Sequence, residues 1–339
     1  MTRRHATDAP TRAVGAEWRS AVAPFVGPHV GRSLFELVST IALLVLAFAA
    51  MYWALEEWPL VTVALVLPAA GMFVRTFIIM HDCAHGSFLP WRWASDAIGF
   101  VTGVLTLTPF GQWRRDHALH HASSGDLDRR GHGDVPTLTV REYLARTPRG
   151  RRVYRTIRHP ASLLLVGPVH LMLGQRLRPR SKATGPRQVA SVWVTNGAIA
   201  AVGGLTVWAF GWSALLLVYL PVYYLAAMAG VWLFYVQHQF EDAHWESHDD
   251  WDYATAALHG SSHLRLPRVL QWFTGNIGLH HVHHLAPRIP NYRLQRCHDA
   301  TPLLHAAPEI TLRSGIGALR LALWDEDRRR LVRFADVPA

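Results

Sequence analysis

Residues 188–240 read QVASVWVTNGAIAAVGGLTVWAFGWSALLLVYLPVYYLAAMAGVWLFYVQHQF, without one Asp, Glu, Lys or Arg. A bilayer core about 30 Å thick takes roughly 20 helical residues per crossing. The stretch is therefore read as two spans, 189–210 and 213–236, with Gly211 and Trp212 at the turn. Two more spans are expected upstream, at about 36–56 and 60–80, the second interrupted near its end by Arg75. Trp53, Trp58, Trp208 and Trp212 fall near the predicted ends, where indole rings favour the membrane interface. Half of the 339 residues are hydrophobic and only 17% are charged, which is too apolar for an ordinary soluble domain of this length.

Residues 97–113 and 161–175 are also apolar, but they are short and broken by Pro109 and Pro168. They are read as interfacial or re-entrant helices. The expected fold is thus an all-α integral membrane protein with four transmembrane helices, interfacial helices and a helical domain outside the bilayer. Residues 1–33 are expected to be a poorly ordered basic segment, 34–302 the membrane domain, and 303–339 a helical tail.

Arg3, Arg4, Arg12, Arg19 and Arg32 precede the first span, and Arg129, Arg130, Arg149, Arg151, Arg152, Arg176, Arg178, Arg180 and Lys182 lie in the middle loop. By the positive-inside rule both termini and the long loops face the cytoplasm, as expected of a bacterial inner-membrane protein. No cleavable leader pattern is read at the N-terminus, so the first span is expected to act as its own insertion signal. The net charge of +10 points to anionic lipid headgroups or an acidic protein partner rather than nucleic acid, because it is spread along membrane-flanking loops. Cys83 and Cys297 are expected as reduced thiols.

The chain holds 21 histidines, and their spacing is patterned. IIMHDCAHGSF places His81 and His85 four apart at the end of the second span. RRDHALHHAS supplies His117, His120 and His121, and GLHHVHHLAP repeats that i, i+3, i+4 pattern as His280, His283 and His284. On a helix each set shares one face. Three such boxes on one side of the membrane carry enough imidazoles for two metal ions. Imidazole alone does not choose among iron, zinc and copper, but an open, redox-active iron pair beside a membrane can activate dioxygen and zinc cannot. The pattern lacks HExxH, and only Glu241 with His244 fits the ExxH of carboxylate-bridged di-iron bundles. A metal transporter would place its ligands inside the spans, whereas these boxes sit at or beyond the span ends.

Taken with their flanks, HDCAHGSF, HALHHASSGDLDRRG, FYVQHQFED and NIGLHHVHHLAPRIPNY resemble the membrane fatty acid desaturases, especially the bacterial and plant acyl-lipid type. The likeness runs from about residue 35 to residue 300. It implies a histidine-ligated di-iron centre that uses O2 and two external electrons to insert a cis double bond into an acyl chain. The chain would be carried on a lipid, on CoA or on a carrier protein. By position the implied ligands are His81, His85, His117, His120, His121, His280, His283 and His284, with His238 as a ninth. Asp82, Asp116, Glu241, Asp242 and Asn276 adjoin these positions and are candidates to orient ligands. The HPGG haem signature is absent, so electrons are expected from a separate ferredoxin-like or cytochrome b5-like donor. The neighbouring class is a membrane di-iron hydroxylase or ketolase acting on carotenoids or other lipids. His281 is read as a bystander, His259 and His263 as a decoy pair, His244 as a possible orienting residue, His5, His29, His159 and His305 as surface residues, and His170 as buried.

Overall fold

The computed structural model describes residues 17–131, 135–177 and 185–337. Two long apolar helices come first, Val30–Ala54 and Pro59–His85. The first starts at His29, whose Nδ1 accepts from the Arg32 backbone N–H at 3.2 Å. The second has Pro59 at its first position, where the missing N–H has no helical partner to lose. It ends at Gly86, which adopts the left-handed conformation (φ 66°) that glycine takes without a Cβ penalty. That cap stops the helix directly after His85, so the first box forms its last turn.

A third apolar stretch runs from Pro186 to His238, 53 residues, which as one straight helix would be about 80 Å long. The backbone breaks it at Gly211 (φ 79°, ψ 173°), the position read from sequence as a turn. Packing separates the two parts. Before the break the chain lies on helices Arg92–Leu105 and Phe110–Ser123; after it, the segment ending at His238 lies along Pro59–His85. Phe48, Phe73, Tyr219 and Tyr223 form an aromatic cluster where these helices meet, with ring centres 5.7–6.3 Å apart. Among the described residues three helices are long and apolar enough to cross a membrane.

The apolar runs 97–113 and 161–175 do not form long helices. Arg92–Leu105 and Phe110–Ser123 are separated by a tight turn containing Leu107 (φ 54°), and the second apolar run forms the short helix Ser162–Gly174. His170 is exposed there rather than buried.

Two expectations are corrected. Residues 17–33 are folded: Trp18–Val22 forms a helical turn, and buried Val22 packs with Leu258, Val282 and Leu285 beneath the third box. Residues 1–16 lie outside the described residues. The tail is not purely helical, and the fold is not purely α. Leu321–Asp325 and Arg330–Arg333 pair as an antiparallel hairpin, which Leu138–Thr139 joins as a third strand. Glu309–Thr311 pairs parallel with His263–Arg265. At the hairpin turn Asp325 Oδ1 accepts from the Asp327 and Arg328 backbone N–H groups (3.1 and 2.9 Å). Such a local side-chain bond competes with helix and folds the chain back.

Candidate metal centre

Four separate elements converge on one buried region. The last turn of Pro59–His85 brings His81 and His85; Phe110–Ser123 brings His117, His120 and His121; the end of the Pro186–His238 stretch brings His238; and the short helix His280–Leu285 brings His280, His283 and His284. All nine histidines singled out from the sequence therefore meet. They sort into two groups, His81, His85, His117, His121 and His283 in one and His120, His238, His280 and His284 in the other. Within each group the potential ligand atoms lie within 4.8 Å of one another.

The nitrogen spacing fits metal binding. His121 Nε2 lies 3.1 Å from His117 Nε2 and 3.0 Å from His283 Nε2. In the other group His238 Nε2 lies 3.1 Å from His120 Nε2 and 2.9 Å from His280 Nε2. Two imidazole–metal bonds of about 2.1 Å at right angles set their nitrogens about 3.0 Å apart. His85 Nε2, His121 Nδ1, His280 Nδ1 and His284 Nε2 are buried with no hydrogen-bond partner, although a buried polar atom without one is costly. Burial first, then the neighbouring imidazoles, hold His117, His121, His280, His283 and His284 well below the usual histidine range. They are neutral at physiological pH, the state in which imidazole is a ligand.

The orienting contacts include Asp82 and Asn276 of the expected set and add others. His238 Nδ1 faces the Gly260 carbonyl at 3.3 Å, which turns its Nε2 toward His120 and His280. Asp82 Oδ1 sits 3.3 Å from His81 Nδ1, the carboxylate–histidine arrangement that fixes a ligand's tautomer and ring angle. Asp82 is itself held through Oδ2 by the backbone N–H (2.8 Å) and side-chain amide (2.9 Å) of Asn291. Asn276, in the left-handed conformation at φ 57°, donates to the Asn291 carbonyl at 3.1 Å and so supports the same chain of contacts. Asn291 was not singled out from the sequence; it sits 209 residues from Asp82, and only its place just after the third box hints at a role. Trp113 was also missed and stacks on His117, ring centres 4.3 Å apart.

Three candidates point elsewhere. Asp116 accepts from the Gln112 amide one turn back (3.0 and 2.9 Å). Glu241 is exposed and pairs with Arg330 of the C-terminal hairpin at 3.1 Å, and Asp242 is exposed beside it. The chain leaves the helix after His238, so the outward turn carries both acids to the surface. His281 is fully buried on the opposite face of its helix, against His298 rather than the nine. His263 faces that same region, and His244 meets the His259 carbonyl through its backbone N–H, so the HxxxH of His259 and His263 builds no paired site.

Removing the Asp82 carboxylate tests this support. In Asp82→Asn, metal affinity falls roughly 10–100-fold, the usual cost of losing such a partner. Metal analysis after graded chelator dialysis measures it, and unchanged metal retention would exclude Asp82 from the support.

Nine inward imidazoles in two metal-sized groups, three of them at the ends of long apolar helices, define a membrane metalloprotein of the histidine-box type. Comparison with known proteins makes the class specific: residues 56–312 match the family model for fatty acid desaturases, and the chain belongs to that family of oxidoreductases. It is 42% identical over 313 residues to a fatty acid desaturase of Bacillus subtilis, covering 92% of this chain and 89% of the relative. An sn-1 acyl-lipid omega-3 desaturase (ferredoxin) of Synechocystis is 29% identical, covering 84% and 79% respectively. An endoplasmic reticulum acyl-lipid omega-3 desaturase (cytochrome b5) of Arabidopsis thaliana is 28% identical, covering 75% and 66%.

Proposed function

We propose that this protein inserts a cis double bond into a fatty acyl chain of a membrane lipid, at two iron ions held by the two histidine groups. The division of nine converging imidazoles into five and four carries this reading. Iron bound there supplies dioxygen activation and removal of hydrogen from unactivated methylenes, chemistry that no side chain provides by acid–base means. In balance, two hydrogens leave adjacent carbons, two electrons and two protons are added, and dioxygen departs as two waters.

The chain's own contribution is placement and dryness. His81, His120, His280, His283 and His284 are each 3% exposed or less, so bulk water is kept from the reacting atoms. Gly260 and Asp82 hold ring orientation through the far nitrogens of His238 and His81. Neutral imidazoles avoid burying several carboxylates next to the bilayer.

The break at Gly211 supports reading the 53-residue stretch as two crossings, four in all, and the basic loops support assigning the histidines to the cytoplasmic side of a bacterial inner membrane. Exposed Trp53, Trp58, Trp208 and Trp212 support the matching belt on the other side. A separate donor brings the electrons, as the names of the Synechocystis and Arabidopsis relatives imply for those proteins. An acidic ferredoxin suits the arginine-rich surface best. Gas chromatography and mass spectrometry of lipids from a host expressing the chain test the proposal. New unsaturated acyl chains are expected; hydroxylated or keto lipids in their place would assign the chain to the neighbouring oxygenase class.

A further inference from the structure

Behind the third box lies another cluster of imidazoles that the nine-histidine centre does not use. His263, His281 and His298 come from three elements, the strand His263–Arg265, the helix His280–Leu285 and the helix Asn291–Ala300. All three are buried, at 8%, 0% and 8% exposure. Their ring centres form a triangle with sides of 4.6 Å (His263–His298), 5.2 Å (His281–His298) and 5.6 Å (His263–His281). An imidazole bound at about 2.1 Å places its ring centre about 3.2 Å from the metal, so three at tetrahedral angles stand about 5.2 Å apart. His281 Nε2 and His298 Nδ1 are already 3.2 Å apart, and His281 Nδ1 is buried without a hydrogen-bond partner.

We infer that His263, His281 and His298 form a third, mononuclear site for a divalent transition metal such as zinc. The site is distinct from the two histidine groups and clamps the third-box helix from its opposite face. His263 turns its Nδ1 toward Glu309 Oε1 at 3.4 Å, so rotation of that ring about Cβ–Cγ separates the observed trio from a convergent three-nitrogen set. Glu309, whose other oxygen lies 3.3 Å from Arg265 Nη1, stands at the rim as a carboxylate for the fourth position. His305, with its ring centre 4.8 Å from that of His298, leads from this cluster to the surface and gives a metal ion an entry side. Burial, with His298 beside it, lowers the His263 imidazole to about 4, which leaves its lone pair free at neutral pH. Three imidazoles and one carboxylate match the ligand preference of zinc.

The purified full-length enzyme in detergent, titrated with Co2+ as the probe, tests the site against a His263→Ala/His298→Ala variant. The readout is the difference between the two proteins, so it does not depend on what the nine box histidines hold. The unaltered enzyme takes up one more equivalent of Co2+ than the variant, with the visible absorption bands of a tetrahedral cobalt–nitrogen site and a raised midpoint of thermal unfolding. Equal uptake, or the same bands in the variant, overturns the inference. Should the double variant not accumulate, His263→Asn takes its place, and it must weaken that added equivalent at least tenfold for the inference to stand.

Discussion

In a His284→Ala variant, double-bond formation falls on the order of 100-fold or more, beyond the cost of losing an orienting partner, while the protein still inserts. His284 lies where the two groups meet: its ring stacks on His121 at 4.1 Å and stands 4.5 Å from His280 and 4.7 Å from His238. Its Nε2 is buried without a hydrogen-bond partner among the protein atoms, so alanine removes a nitrogen that is available to a metal. The membrane helices are remote from this helix in sequence and keep their apolar surface, which is why insertion survives. Immunoblotting of the membrane fraction, metal analysis and acyl-chain profiling separate the effects. Full desaturation by this variant would remove His284 from the ligand set.

Arg158→Ala lowers stability by about 1–3 kcal/mol, the cost of removing the central donor from a buried polar network. Arg158 is 1% exposed and donates to the carbonyls of Pro136 (2.7 Å) and Leu321 (3.0 Å), to Gln239 Oε1 (2.7 Å) and to the Tyr235 hydroxyl (3.0 Å). One guanidinium thus ties the middle loop, the C-terminal hairpin and the residues on either side of His238. Alanine removes the donor shared by these four acceptors and leaves only the weaker bonds from the Tyr154, Tyr235 and Thr137 hydroxyls to Pro136, Leu321 and Gln239, and the hairpin loosens first. Thermal unfolding in detergent and protease cleavage near residues 321–333 measure the change; an unaltered midpoint would show that the network is not needed for stability.

Much of the centre was legible because its signals are local. A charge-free run longer than one bilayer needs no knowledge of neighbours. An i, i+3, i+4 set of histidines lies on one face of any helix. The partition was not legible. His120 and His121 are adjacent in sequence yet belong to different groups, as do His283 and His284. Neighbours on a helix diverge by about 100°, so each pair straddles the two groups, and which side each takes depends on how the four elements cross. Glu241 and Asp242 show the converse: closeness to His238 in sequence suggested a role, and one turn of chain carried them to the surface.

By itself, then, the sequence determined that the chain is apolar enough for a bilayer, where it turns, and which box imidazoles share a helix face, because hydropathy and helical periodicity act over a few residues. Tertiary structure alone decided how the nine histidines divide. It also showed that Asn291 holds Asp82, that Arg158 braces the hairpin, and that His281 faces His298. Each of those contacts joins residues from different elements, and no periodicity within one element records which other element it will meet.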